Sequence, residues 1–135
     1  MKRQHLGKAG EEFAVRYLQQ QGLEIVACNW HPPHGNELRG DIDIIARESK
    51  NQESSRRESN VLCFVEVKAR ASEERGAPQL AVTRVKQKRL SRLANAYVSV
   101  ERLDEVPCRF DVIEVWLNER EARAVWHCNA FEYQE

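Results

Sequence analysis

The sequence lacks the features by which several classes of protein are recognised. No two of its four cysteines stand close enough to form a CxxC pair, which argues against a zinc ribbon and a thioredoxin-like site. No apolar run approaches the length of a membrane span, and the charged segment Met1–His5 does not resemble a signal peptide. We therefore expect a cytoplasmic protein with no membrane partner, whose thiols are reduced and buried.

The chain also lacks an excess of charge of either sign. Its 135 residues include 21 basic and 21 acidic side chains, so the formal net charge is zero. A nucleic-acid partner must therefore be argued from where the charges lie. Basic residues cluster between Arg84 and Arg92 without an acid among them, whereas the last quarter of the chain is rich in acids. Taken alone, such a basic cluster is more often a solvated helix face than a binding site.

Length and periodicity indicate a single α/β domain over residues 1–135. Helices are predicted at about 5–21 and 79–100, because apolar side chains recur there at helical spacing, with Val85 among those expected to face the core. Strands are predicted at 23–30, 41–46, 61–69, 109–117 and 122–128. Ile42 and Ile44 are expected to share a face of the second strand, and the apolar third strand is expected at the centre of the sheet. The order is αβββαββ, and its strand–helix–strand passage predicts a parallel pair of strands. The segment 47–60 has no large apolar side chain and is interpreted as a flexible polar hairpin insertion.

Charged side chains interrupt two of the predicted strands. Glu66 and Lys68 lie two residues apart in the most apolar strand, and Asp41 and Asp43 lie two residues apart in the strand before it. Strand side chains alternate with a period of two, so each pair shares a face. Antiparallel pairing of these consecutive strands would bring Asp43 beside Glu66. Crowded carboxylates raise one another's pKa unless a cation neutralises them, although an internal ion pair on a half-exposed strand is an alternative interpretation.

The donor types in this cluster indicate which cation it would hold. Carboxylate oxygens without a thiolate or histidine favour a hard divalent ion, Mg²⁺ or Mn²⁺. The first helix offers a further acid, because Glu11 falls at the rim of its apolar stripe whereas Glu12 faces solvent. Gly7 and Gly10 would let this helix approach the sheet closely. Taken alone, Glu11 is more typical of an exposed surface acid.

These residues belong to a pattern that resembles a known family. The pattern comprises Gly10-Glu11, Gly40-Asp41-Ile42-Asp43, Val65-Glu66-Val67-Lys68 and Arg109-Phe110-Asp111. It is similar to the YraN-like family of small bacterial proteins, and through it to the PD-(D/E)xK nuclease superfamily and the archaeal Holliday-junction resolvases. The resemblance implies a restriction-endonuclease-like fold, in which helices flank a mixed β-sheet. Within it we interpret Asp111 as a structural partner of a buried cation such as Arg109.

The resemblance also implies a reaction and the residues that perform it. The reaction is metal-dependent hydrolysis of phosphodiester bonds in DNA, including branched recombination or repair intermediates. Asp43 and Glu66 match the metal ligands, Glu11 matches the helix acid that contributes to the site, and Lys68 matches the catalytic lysine, with Mg²⁺ or Mn²⁺ as cofactor. The residues expected to contact nucleic acid are Lys8, Arg70, Arg75, Arg84, Lys86, Gln87 and Arg89.

Two other functions stay open at this point. A protein of this fold could bind branched or single-stranded nucleic acid without cutting it, and the acid-rich C-terminal part could instead be an interface for another protein. Divalent-ion binding together with DNA cleavage would favour the nuclease. Failure to bind any nucleic acid at low salt would favour the adaptor. The sequence also leaves the oligomeric state open, including a homodimer.

Overall fold

The computed structural model describes residues 3–33, 37–49, 60–71, 82–103 and 105–135. Within these ranges the elements follow the order αβββαββ, which confirms the predicted order and the α/β class. They are α1 (Arg3–Gln20), β1 (Glu24–Trp30), β2 (Ile42–Ser49), β3 (Asn60–Ala71), α2 (Arg84–Val100), β4 (Cys108–Leu117) and β5 (Ala122–Phe131).

The described strands form one mixed sheet in the order β1-β2-β3-β4-β5. Strands β3 and β4 are parallel, and the other neighbours are antiparallel. Parallel neighbours need a crossover connection, which contains α2. Strand β3 is the most apolar run and lies at the centre of the sheet, buried from Val61 to Glu66. The antiparallel β2–β3 pair and the parallel β3–β4 pair are as predicted, and the architecture agrees with a restriction-endonuclease-like fold.

One helix packs on each face of this sheet. Ala14 and Leu18 of α1 belong to one buried cluster, and Leu93 and Tyr97 of α2 belong to the other. Gly10 is required for the approach of α1, because a Cβ at this position would lie 2.6 Å from the Cβ of Ala69. Gly7 was expected to serve the same purpose, but a Cβ there would meet no atom within 4 Å. The close approach therefore depends on Gly10.

The phasing of β2 differs from the prediction. Ile42 and Ile44 were expected to share a face, but Ile42 packs in the cluster under α2 and Ile44 in the cluster under α1. The β1 partners of these residues are Trp30 and Cys28, and Asn29 between them has a positive φ of 51°. The register of this pair shifts between Ile25 and Ala27 and is regular from Cys28 to Trp30. The change of face between Ile42 and Ile44 therefore occurs at Asp43, which lies opposite Asn29 in this register.

Two predictions about burial were wrong. Val85 was expected to face the core but is 80% exposed, because the buried residues of α2, which include Leu90 and Ala94, lie on the other side of the helix. Cys63 is the one buried cysteine of the four, whereas Cys28, Cys108 and Cys128 are exposed, and all are free thiols. Cys28 and Cys128 lie on the edge strands β1 and β5, and Cys108 is the first residue of β4. An apolar strand pattern alone does not show which side chains the edges and ends of strands leave open to solvent.

The limits predicted for the polar insertion need correction. The segment 47–49 continues β2 and residue 60 begins β3, where Ser49 pairs with Asn60. Charged side chains fit these strand ends because Arg47 forms an ion pair with Glu24 of β1 at 3.3 Å. Residues 50–59, the rest of the predicted insertion, lie outside the described part of the chain. In the described part, neither helix is long and apolar enough to cross a membrane.

Candidate metal and nucleic-acid site

An open cavity of about 630 Å³ lies between α1, the start of β2 and the second half of β3. Its lining includes the four residues expected to perform the chemistry, which are Glu11, Asp43, Glu66 and Lys68. The antiparallel register pairs Ile44 of β2 with Val65 of β3. One step further along this register, Asp43 of β2 comes opposite Glu66 of β3. The structure thus places in one cavity residues that are up to 57 positions apart in sequence.

Asp43 is tied to β3 by a backbone hydrogen bond. The N–H of Val67 donates to Oδ2 of Asp43 at 2.8 Å, just beyond the last paired residues of the β2–β3 ladder. Burial and then the nearby carboxylates, chiefly that of Glu66, raise the pKa of Asp43 to about 7, and the Val67 N–H opposes them. A cation next to this carboxylate would favour its ionised form and lower its pKa. The charged groups that shift the pKa of Asp43 are instead acids.

Glu66 has a cationic partner from α2. Nζ of Lys86 lies 2.5 Å from Oε1 of Glu66, whose side chain is 10% exposed. The start of α2 is fixed by two hydrogen bonds, since the side chain of Thr83 accepts from the N–H of Lys86 and Nε2 of Gln87 donates to the carbonyl of Val82. Lys86 therefore reaches an acid of the cavity, and the side chain of Gln87 holds the helix end.

Lys68 lies in the cavity among charges of both signs. Burial lowers the pKa of Lys68, the neighbouring cations Lys86 and Arg70 lower it further, and the carboxylates of Glu114 and Glu66 raise it. The ammonium group thus belongs to a network in which β3, β4 and α2 each contribute a charge. A metal ion or a phosphate entering the cavity would change the balance of this network.

The oxygen donors of the cavity are of the kind that hard divalent ions prefer. Asp43 and Glu66 supply carboxylates from adjacent strands, Glu11 supplies a third from α1, and the charges around Asp43 are those a cation would relieve. In the ranges that the structure describes, no three acidic, histidine or cysteine side chains already converge as a metal cage. An ion bound between Asp43 and Glu66 would therefore compete with Lys86 for Glu66.

The residues expected to contact nucleic acid do not form one surface. Lys8 is exposed on α1, whereas Arg84 and Arg89 are exposed on α2, which packs on the opposite face of the sheet. Arg70 lines the cavity, and its Nε lies 3.2 Å from Oε2 of Glu114. The remaining residue, Arg75, lies outside the described ranges.

Two residues near the cavity were missed by sequence reasoning. Glu114 of β4 is the register partner of Lys68, contacts Arg70, and lies 2.8 Å from Nε2 of His127 on β5. An acid inside an apolar strand was the signal that singled out Glu66, and it applied equally to Glu114 between Ile113 and Val115. His127 carried no comparable signal, because its role depends on the strand register.

Asp111 has the structural role expected of it. Its carboxylate lies 3.0 Å from Nε of Arg109 and also accepts from Nε1 of Trp126 and the backbone N–H of Asn129. Arg109 in turn contacts Glu48 of β2 at 2.6 Å. These bonds link β2, β4 and β5 at a place that is separate from the cavity residues.

Comparison with known proteins identifies the family. The model of the family described as "Uncharacterised protein family UPF0102" matches residues 10–115, a range that includes Glu11, Asp43, Glu66 and Lys68. The chain belongs to this family. The resemblance to the YraN-like family is thereby confirmed, since the two names denote the same group of proteins.

Similar full-length relatives occur in several bacteria. A UPF0102 protein of Syntrophus aciditrophicus is 38% identical over 126 residues, which cover 93% of this chain and 87% of the relative. One of Trichlorobacter lovleyi is 38% identical over 130 residues, covering 96% and 91%. One of Caldicellulosiruptor saccharolyticus is 37% identical over 118 residues, covering 87% of each.

Proposed function

We propose that the protein is a metal-dependent nuclease that hydrolyses phosphodiester bonds in DNA, with branched recombination or repair intermediates as its substrate class. The observation that carries this proposal is the cavity in which Asp43, Glu66 and Glu11 lie together with Lys68. Carboxylates from two adjacent strands beside a lysine are the side chains that metal-assisted phosphodiester hydrolysis needs. The resemblance of this motif to PD-(D/E)xK nucleases supports the same reaction.

The acids of the cavity would hold Mg²⁺ or Mn²⁺. Asp43 and Glu66 are the principal ligands, the carbonyl of Val67 lies on the same strand between the motif residues, and Glu11 contributes from α1. When bound, such an ion acidifies a water molecule and neutralises charge on the scissile phosphate. The hydrogen bond from Val67 N–H to Oδ2 holds Asp43 in place before a ligand arrives.

Lys68 would act on the water and the phosphate. Its ammonium group has three N–H donors and lies in the same cavity as the acids. A cation fixed at this place orients the attacking water and stabilises the negative charge that develops on the phosphate oxygens. Arg70, on the rim of the same cavity, is suited to an adjacent phosphate of the strand, because its planar fork can donate two parallel hydrogen bonds.

Cleavage assays test this function directly. The protein is incubated with flap, gapped, four-way and single-stranded DNA in the presence of Mn²⁺, and in parallel with a chelator. We expect products that disappear with the chelator and in Glu66→Ala, while the exposed neighbour of Glu11 provides a matched control, Glu12→Ala, that cleaves as the wild type does. Products that persist in Glu66→Ala would contradict the assignment of the site.

A second candidate is a nucleic-acid-binding module that does not cut. The contact between Lys86 and Glu66 at 2.5 Å favours it, because a protein cation already neutralises an acid that the metal would need. The two functions differ in the affinity for Mn²⁺. The binding module would retain DNA in a chelator and show no affinity for Mn²⁺ by calorimetry, whereas the nuclease would bind both.

A further inference from the structure

A fully buried acid lies directly behind the cavity. The side chain of Glu114 is 1% exposed and lies between Ile113 and Val115 in β4. Burying a carboxylate costs several kcal/mol unless the protein supplies partners. The partners of Glu114 include Nε of Arg70 at 3.2 Å and Nε2 of His127 at 2.8 Å.

The partners of Glu114 connect it to the cavity. Arg70 lines the cavity, and so does Lys68, which is the register partner of Glu114 on β3. His127 approaches from β5, on the side away from β3, and contacts the other carboxylate oxygen. The side chains thus form a row across three strands, from the edge strand to the lining of the cavity.

We propose that Glu114 is a positioning residue that holds the guanidinium of Arg70 for a DNA phosphate, and that His127 fixes Glu114 from the neighbouring strand. This proposal rests on the proposed function, since it takes nucleic acid as the ligand. Glu114 contacts Nε of Arg70, so the contact does not use the two terminal nitrogens of the guanidinium. Those nitrogens form the part of the fork that matches the oxygens of a phosphate.

The direction in which DNA affinity changes when Glu114 is removed separates a positioning role from a purely electrostatic one. A carboxylate near a phosphate repels it, so removing the negative charge of Glu114 should strengthen DNA binding if this residue contributes only its electrostatic field. A positioning role predicts the opposite result. Without Glu114 the flexible side chain of Arg70 must be ordered on binding, and the affinity for DNA falls.

The experiment measures DNA binding without metal, so that cleavage plays no part. Fluorescein-labelled four-way and single-stranded DNA are titrated in a chelator, and affinity is followed by fluorescence anisotropy. We expect Arg70→Ala to weaken binding about tenfold, as for loss of a charge-assisted contact, and Glu114→Leu to weaken it several-fold. In the Arg70→Ala background, Glu114→Leu should have no further effect, because its action passes through Arg70.

Matched variants control for unrelated effects. Glu48→Leu removes a carboxylate that pairs with Arg109, away from the cavity, and should leave DNA affinity unchanged. Arg70→Lys keeps the charge but lacks the fork, so it should weaken binding nearly as much as Arg70→Ala. This variant tests the proposal even if Glu114→Leu fails to fold, which thermal unfolding would reveal.

The possible outcomes are distinct. Equal or tighter DNA binding by Glu114→Leu, additive losses in the double variant, or full affinity in Arg70→Lys would each overturn the positioning role while leaving the proposed function intact. If the wild type bound neither DNA, the nucleic-acid partner itself would be wrong, and this inference would fall with it. Binding by the wild type without any cleavage would remove the nuclease and leave the positioning role standing.

Discussion

Asp111 on β4 and Asp43 on β2 are acids of the same sheet, but the groups around them differ in charge. Asp111 is satisfied by donors from the protein, namely Arg109, Trp126 and a backbone N–H. Asp43 accepts from the N–H of Val67, and the charged neighbours that most affect its pKa are other acids. Donors of the protein compensate the carboxylate of Asp111, whereas burial and neighbouring acids disfavour the ionised form of Asp43. This difference separates an acid with a structural role from the acid that we propose as a metal ligand.

The largest effect that follows from this contrast concerns Lys68. Lys68→Ala should lower cleavage at least about 100-fold, because it removes a preorganised cation from the transition state. Affinity for Mn²⁺ should persist, since a charged lysine does not ligate a metal. Cleavage rates and calorimetry with Mn²⁺ measure the two effects, with the exposed Lys88→Ala as the control. Loss of metal binding in a folded Lys68→Ala protein would show that its role was assigned wrongly.

Asp111→Asn and Asp43→Asn should change stability in opposite directions. Asp111→Asn places an amide NH₂ among donors and should cost about 2–3 kcal/mol of unfolding free energy. In Asp43→Asn the amide oxygen would still accept from Val67 N–H, and a crowded charge is removed. This variant should therefore be about 2 kcal/mol more stable than the wild type at pH 8 in a chelator. Urea unfolding measures both, and a shift of the same sign in the two variants would erase the contrast.

The pH dependence of this gain has a definite sign. Burial raises the pKa of Asp43 to about 7 in the folded protein, well above its unfolded value. Between about pH 4 and pH 7 the folded state thus holds a proton that the unfolded state lacks, and the wild type loses stability as the pH rises through this window. The advantage of Asp43→Asn should accordingly shrink by about 2 kcal/mol between pH 8 and pH 5. An advantage that stayed constant would contradict the raised pKa.

The sequence predicted elements better than it predicted the partners of charged side chains. Helices and strands follow from local periodicity, and the apolar character of β3 marked it as central. The phasing of Ile42 was wrong because regular alternation was assumed through Asp43, whereas Ile42 and Ile44 pack on opposite faces of the sheet. The contacts of Lys86 and of Glu114 were missed for a related reason, because side-chain reach and strand register are set by tertiary packing.

The exposed cations of α2 supply a smaller, sequence-independent effect. Arg84→Ala/Arg89→Ala should flatten the slope of log affinity against log salt for duplex DNA by about two units, because each lost phosphate contact contributes about 0.9. Binding to all sequences should weaken alike. Titrations at several salt concentrations measure the slope. An unchanged slope would mean that this helix face is only solvated, and that Arg70 and its neighbours bind the backbone without it.

The smallest expected effect concerns the cation that Glu66 already has. Lys86 neutralises Glu66 in the metal-free protein, so a divalent ion that uses Glu66 must weaken this ion pair. Lys86→Met keeps most of the side-chain volume and removes the competitor, and Mn²⁺ affinity should rise about threefold by calorimetry, as expected for a partly exposed ion pair worth less than about 1 kcal/mol. Lys88→Met, exposed two residues further along α2, should change nothing. A fall in Mn²⁺ affinity would instead mean that Lys86 orients Glu66 for the metal. The contrast with Asp111, whose partners all come from the protein, would then apply to Asp43 but not to Glu66.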